Sequence, residues 1–298
     1  MHIPVLLNEV IEHLNPKPGG KFIDATIDGG GHALAILERV VPEGKLLGIE
    51  WDSRLLGDMS ARISKTEFKE NIILINESYV NLKQVAEQNN FIGVDGVLFD
   101  LGLSSWHLEV AGRGFSFQKD EPLDMRFGIN DHGQQPTAED IISGASYDGL
   151  VKILKEYGEE RFAKSIAAGI VNTRREKPIR TTLELVEVIK NSVPFWYRRG
   201  RLHFATKTFQ AIRIAVNSEL ENVRQGLAQA VEILGAGGRI AVISFHSLED
   251  RIVKNFFREE AQTGNLRIVT KKPVLSKPEE IMENHRARSA KLRVAEKK

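Results

Sequence analysis

The chain has 298 residues, is 42% hydrophobic and 27% charged, and carries a formal net charge of +1. That is room for one large domain or two modest ones, and global charge does not by itself announce nucleic acid. There is no cysteine, which excludes disulfides, thiolate metal sites and cysteine nucleophiles. No apolar run approaches the ~20 residues of a membrane span. The opening MHIPVLLNEVIEHL lacks the basic start and small-residue cleavage site of a signal peptide, so a soluble, cytoplasmic protein is expected.

The first third alternates strands and helices. FIDATI (22–27), bounded by glycines, reads as a strand, and HALAILERVV (32–41) as a helix stopped by Pro42. KLLGIEW (45–51) reads as a strand, SRLLGDMSARIS (53–64) as a helix and NIILINE (71–77) as a strand. YVNLKQVAEQN (79–89) follows as a helix and VDGVLFDLG (94–102) as a fourth strand. This rhythm predicts a parallel sheet with helices on its faces. Residues 106–137 then show no period and are rich in Gly, Asp, Arg and Phe; irregular loops of such length are commonly functional. Residues 138–192 read as helices only, residues 204–235 as one or two helices ending at the turn GAGG. RIAVISFHS (239–247) restores the rhythm as a fifth strand, EDRIVKNFFREEA (249–261) is a helix and LRIVTKKPVL (266–275) a last strand. The remaining tail is basic and short of apolar residues. The expected organisation is an α/β core of residues 1–108 and 206–298, interrupted by an inserted loop and helical substrate-recognition domain at 109–205.

Ligands of open α/β sheets bind beyond the carboxyl ends of the strands. This would gather DATIDGGGH, GIEWD, FDLGLSS and ISFHSLED. The glycine run either presents helix-start amides to an electron-rich ligand group or simply makes a tight turn. Glu50 and Asp52, just past the second strand, suit ribose hydroxyls. Neither the Gly-Lys-Ser/Thr of a P-loop nor G-x-G-x-x-G is present. Asp24 and Asp28 would repel a pyrophosphate but favour S-adenosylmethionine, whose sulfur and amine are both positive; Asp24 equally suits bonding the loop's own amides. Asp100, at the end of a buried strand, needs partners: the cofactor's adenine amine, a substrate amine, or the next turn. Ser104 and Ser105 add hydroxyls beside it, and His107 either packs on the cofactor or is a loop histidine. His246 is either a general base or a structural histidine. A Ser-His-Asp hydrolase is disfavoured, because no G-x-S-x-G elbow occurs. Residues 173–213 carry ten Lys/Arg against three acids, and the last 28 residues nine against four. Within the first patch, FWYRRGRLHFATK interleaves aromatics with Arg199 and Arg201, a composition suited to stacking bases and binding phosphates.

Seven blocks in collinear order carry a resemblance over almost the whole chain: HIPVLLNEVIEHL, DATIDGGGHA, FDLGLSS, RGFSFQKDEPLDMR, FATKTFQAIRIAVNSEL, ISFHSLEDRIVKNFF and KPEEIMENHRARSAKLRVAEK. Together they resemble the RsmH (MraW) ribosomal RNA methyltransferases. The resemblance implies a class I SAM-dependent methyltransferase (Rossmann-like) core with an inserted all-helical domain. It implies methylation of the exocyclic N4 of a cytidine in 16S rRNA near the P site, with the small ribosomal subunit as partner and no membrane. The family's cofactor contacts carry over to Gly30, Gly31, His32, Glu50, Tyr79, Asp100 and His107. Glu50 stands where the family usually has Asp, Tyr79 where it usually has Phe, and His107 where Gln or another residue is common. Asp100, His246 and Ser104 are the catalytic candidates, with Ser247 secondary; one carboxylate does not easily both hold adenine and serve the target amine. The loop 113–126 is expected to close over the unstacked base, offering Phe115 or Phe117 for stacking, with Arg113 and Arg126 also assigned to substrate binding. No metal-ligand cluster of diagnostic spacing is visible, and the oligomeric state stays open, a homodimer included. The competing classes are a DNA or protein methyltransferase, a nicotinamide-dependent oxidoreductase and a non-catalytic RNA-binding assembly factor.

Overall fold

The computed structural model describes residues 4–128 and 135–298. The chain divides into two compact units, residues 1–102 with 220–298, and residues 103–219. The division expected from sequence lies at 108/109 and 205/206. The differences are residues 103–108, with Leu103, Trp106 and Leu108 packed on the helical unit's core, and the helix Thr206–Asn217, whose buried Phe209 and Ile212 belong to that core.

The first unit is built on a sheet of eight strands: β1 (Lys21–Asp24), β2 (Lys45–Glu50), β3 (Ile72–Asn76), β4 (Val94–Asp100), β5 (Leu234–Ser244), β6 (Leu266–Ile268), β7 (Val274–Leu275) and β8 (Lys291–Lys297). Their order is β3-β2-β1-β4-β5-β8-β6, with β7 paired to β8. The first five are parallel and β8 runs antiparallel to its neighbours. Successive side chains of a strand point to opposite faces. Ile23, Leu47, Val97 and Phe99 accordingly enter one core while Phe22, Leu46 and Leu98 enter the other. Both faces are covered, so these strands read in sequence as continuous apolar runs.

Three sequence expectations change here. GAGG is not a turn between helix and strand: β5 starts at Leu234 and runs through it, with a register shift opposite Val94/Gly96 and Gly237 at φ +79. The tail holds the strand β8, which lies between β5 and β6. Leu292 and Val294 of β8 are buried, and Arg293 between them pairs with Asp250 at 2.6 Å. The expected single strand over 266–275 is the two short strands β6 and β7. A helix Leu7–Leu14, not anticipated from sequence, buries Val10 and Leu14 against the sheet's second core.

The second unit is helical. Ala138–Gly144, Tyr147–Glu156, Ala163–Glu176, Thr182–Ser192 and Thr206–Asn217 surround one apolar core. Thr137 with Asp140 and Thr181 with Glu184 form reciprocal capping boxes at two of the helix starts. The irregular stretch before them starts with a short helix, Ser105–Glu109; its residues 129–134 lie outside the described residues. The part covering 113–126 is tied down rather than open. Thr182 N–H donates to the Glu121 carbonyl, Glu121 N–H donates to Thr182 Oγ1, Leu123 N–H donates to the Arg180 carbonyl, and Leu123 and Met125 are buried in the core.

Asn217 locks that loop from the helix side. Its Nδ2 donates to the carbonyls of Met125 (2.7 Å) and Arg213 (3.0 Å), and its Oδ1 accepts from Phe127 N–H (2.9 Å). Truncation would strand buried backbone groups. Asn217→Ala is expected to lower stability by about 2 kcal/mol, read as a fall in the urea midpoint followed by far-ultraviolet circular dichroism. An unchanged midpoint would show that the loop does not depend on this side chain.

Candidate functional site

The strand order reverses between β1 and β4: the chain leaves β1 toward β2 on one side and reaches β4 on the other. In such sheets the ligand crevice lies at this switch point, beyond the carboxyl ends. Three strands end there on buried acids: β1 on Asp24, β2 on Glu50 and β4 on Asp100. Buried carboxylates resist ionisation unless hydrogen bonds or cations hold the charge. Burial lifts Asp24 to about 7, opposed only by the Thr26 amide, which donates to Oδ1 at 3.2 Å. Burial also lifts Glu50 to about 7, against the amides of Asp52 (2.9 Å) and Asp28 (3.1 Å) that donate to its two oxygens. Asp28, in the left-handed region at φ +44, is pushed well up by burial and then by Glu50, Asp100 and Asp24; Arg286 pulls the other way. Asp100 is raised well above the ordinary range by burial, then by Asp24 and Glu249.

Asp100 is held by its backbone and one oxygen. Its N–H donates to Thr26 Oγ1 at 2.6 Å, and Oδ2 lies 3.5 Å from His32 Nδ1. Its Oδ1 is buried and has no hydrogen-bond partner among the described residues. His32 is oriented from the far side of its ring, where Nε2 lies 2.9 Å from the Val5 carbonyl. A carbonyl only accepts, so that nitrogen carries the hydrogen and Nδ1 faces Asp100. His32 begins the helix Gly31–Val40, capped by Gly30 at φ +74. The left-handed φ at Gly30 favours glycine, and a Cβ there would have to displace the end of the Met59 side chain.

Tyr79 follows β3 and sets its ring edge-on to Phe99 with centroids 5.6 Å apart. Gly226 makes room for it, since a Cβ there would meet Tyr79 Cδ2 at 2.8 Å. His246 caps the helix Ser247–Gln262: its Nδ1 accepts from Glu249 N–H at 3.4 Å, and Glu249 Oε2 accepts from the amides of Phe245 and His246. His246 Nε2 lies 3.1 Å from Glu249 Oε1. Its Nδ1 is thus committed to the helix start, while the buried Nε2 has no hydrogen-bond partner among the described residues.

The remaining sequence-predicted residues belong to the helical unit. Ser104 Oγ lies 2.7 Å from His107 Nδ1 and caps the short helix through the His107 amide. His107 is buried in an aromatic cluster, edge-on to Trp106, Phe115 and Phe127 at 5.1–5.5 Å. Arg113 and Phe115, expected on a closing loop, are buried instead. Arg113 donates to the Phe127 carbonyl and lies over Trp106 and Phe115, and Phe115 stacks on Phe127. An apolar loop core and a backbone acceptor hold them inward. Phe117 is half-buried and stacks on His203 at 4.5 Å. Arg126 forks onto Asp124 at 2.6 and 2.8 Å. Arg199 and Arg201 are exposed. Sequence reasoning assigned no role to Val5, Thr26, Gly226, Glu249 or Arg286. Glu249 was within reach, since it stands three residues after a capping position.

Residues 1–298 match the family model described as the MraW methylase family. The chain is 47% identical to a ribosomal RNA small subunit methyltransferase H of Trichlorobacter lovleyi, covering 99% of this chain and 98% of that protein. It is also 47% identical to a protein of the same name from Persephonella marina, covering 99% of each. Among solved structures, a crystal structure described as a putative rRNA-methylase from Clostridium thermocellum covers 100% of both chains at 13% identity and a TM-score of 0.50. That likeness is one of fold.

The acids carry a measurable signature. Between the ordinary carboxylate pKa and about 7, folded Asp24 and Glu50 retain protons that the unfolded chain has released. Their contribution to stability is therefore present at low pH and is lost as pH rises through about 7. Asp24→Asn cannot ionise. Its stability relative to the parent should rise from acid to neutral pH, measured as urea midpoints across that range. A difference independent of pH would show that Asp24 titrates normally.

Proposed function

The chain belongs to the MraW methylase family of S-adenosylmethionine-dependent methyltransferases, and on that premise we propose that it methylates the exocyclic N4 of a cytidine in 16S rRNA. The substrate is the small ribosomal subunit, near its P site, and the setting is the cytoplasm. No described helix is long and apolar enough to cross a membrane. The names of the relatives support the rRNA substrate; the N4 position rests on the resemblance of the motifs.

The observation that carries the reading is the acid set at the switch point, with the partnerless Asp100 Oδ1 among it. Such a set suits a cofactor with cationic groups, which would favour the ionised carboxylates. When bound, S-adenosylmethionine supplies a methyl group on positively charged sulfur. Gly30, Gly31, His32, Glu50 and Tyr79 are assigned to hold it, and Asp100, which the resemblance also lists as a cofactor contact, is assigned to the target amine instead. Glu50, at the end of β2, takes the ribose hydroxyls, and its extra methylene over aspartate is compensated by the amides of Asp28 and Asp52 that fix it.

A cytosine amine is a weak nucleophile because its lone pair is delocalised into the ring. Asp100 Oδ1 accepts a hydrogen bond from that amine, orients it and takes up the proton it loses. Burial raises the pKa of Asp100, which makes its carboxylate a stronger proton acceptor once it is ionised. His246 and Ser104 are the weaker candidates, since helix capping engages the first and His107 the second. Phe117 is assigned to the unstacked base and Arg126, Arg199 and Arg201 to the RNA backbone.

Purified protein with labelled S-adenosylmethionine should place N4-methylcytidine in unmodified small subunits, identified by nucleoside mass spectrometry. Asp100→Asn should lower kcat by about 100-fold or more. Label in DNA or protein alone would reject the substrate, and undiminished turnover of the variant would remove Asp100 from catalysis.

A further inference from the structure

The largest exposed aromatic surface lies on the helical unit. Phe195 is 63% and Trp196 57% exposed, on the one-turn helix Phe195–Arg198. Burying neither ring, the chain holds them in place from behind. Tyr197 turns inward and its hydroxyl donates to the buried Glu160 at 2.9 Å. Glu160 also accepts from the Phe162 amide at 2.8 Å, and Phe162 packs on Tyr197 with centroids 4.8 Å apart. Arg198 is spent on the Val193 carbonyl. The turn is tied down from its inner side, and what it presents outward is two rings and their cations.

Each exposed ring has a guanidinium over it. Arg199 lies 4.4 Å from the centroid of Phe195, and Arg161 lies 5.3 Å from that of Trp196. Among the described residues, no carboxylate lies within ion-pair distance of Arg161, Arg199 or Arg201. From residue 193 to residue 217 the chain has five Lys/Arg and no acid.

We propose that Trp196 and Phe195, with Arg161, Arg199 and Arg201, form a docking surface for unpaired RNA. It rests on the rRNA reading above and adds to it a second point of contact with the RNA. Bases stack on exposed ring and guanidinium planes, and the unpaired cations meet the phosphates. A protein partner fits less well, because the buried centres of protein interfaces are depleted of charge and here the charges sit on the rings themselves. The surface holds nucleotides and does no chemistry, so its loss should fall on KM.

The chain has three tryptophans, so Trp196 can serve as its own probe. An unstructured oligoribonucleotide titrated into the wild type should quench tryptophan fluorescence. Trp196→Leu should abolish that quenching and weaken binding, followed by the anisotropy of labelled RNA, about tenfold, the scale of one lost stack. Trp196→Phe should restore most of the affinity. Arg161→Ala with Arg199→Ala should lower the slope of log K against log salt by about 1.4, as expected for two lost phosphate contacts on a single strand. A duplex of equal length should bind without the Trp196 dependence. On small subunits, Trp196→Leu should raise KM and leave kcat. Equal RNA affinity and equal KM in Trp196→Leu would overturn the proposal. So would a Trp196-dependent shift in sedimentation without RNA, which would assign the face to a second copy. If wild-type protein methylates no RNA yet shows Trp196-dependent oligonucleotide binding, the rRNA methylation reading fails and the docking surface stands.

Discussion

The first unit depends on a conflict between burial and charge. A parallel sheet covered on both faces must end its strands inside the protein, and here three strands end on carboxyl groups. Ordinary packing would exclude such groups. The loops that follow satisfy them in part: Thr26, Asp28 and Asp52 turn back with backbone amides, and Thr26 Oγ1 takes the Asp100 amide. The satisfaction stops short of neutralising the acids, which leaves a region of concentrated acceptor capacity at the switch point. Such a region favours a cationic ligand over an anionic one, and the same local geometry that costs stability in the free protein defines what the unit can bind.

Much of this was legible in the sequence. Phe22 and Ile23, or Leu46 and Leu47, serve opposite cores, so their strands appear as short unbroken apolar runs between glycines and prolines. Asp24, Glu50 and Asp100 stand out as acids at the ends of such runs. The positions of those acids follow from strand ends alone, whereas their partners come from residues distant in the chain. No local pattern links Val5 to His32, or Gly226 to Tyr79. The strand β8 was obscured by composition: Leu292 and Val294 alternate correctly, but Lys, Arg and Glu around them give the segment the look of a solvated tail. Arg293 is tolerated inside because Asp250 meets it.

The helical unit misled in the opposite direction. Arginine and phenylalanine in an aperiodic stretch suggest a mobile, ligand-facing loop. Arg113 instead threads its guanidinium among Trp106, Phe115 and Phe127, a use of the cation that composition cannot distinguish from phosphate binding. His107 is drawn into the same cluster. The residues that do face solvent with unpaired cations, Arg161, Arg199 and Arg201, are set apart only by three-dimensional context: Glu160, Tyr197 and Arg198 form the inner layer that turns them out. Arg198 and Arg199 are adjacent and chemically identical, yet one caps a carbonyl and the other covers an exposed ring.

The central pair of the sheet, β4 and β5, comes from chain segments separated by the whole helical unit. Joining them in an extended chain would require closing a very long loop before any pairing could reward it. The insertion has its own apolar core and helices that pack on their sequence neighbours, so it can collapse through short-range contacts first. Once compact, it converts a distant encounter into a nearby one, since residues 103 and 219 become the two ends of a folded body. The inserted unit therefore acts as an internal clamp on assembly, and the order in which the molecule forms need not follow the order in which its sheet is written.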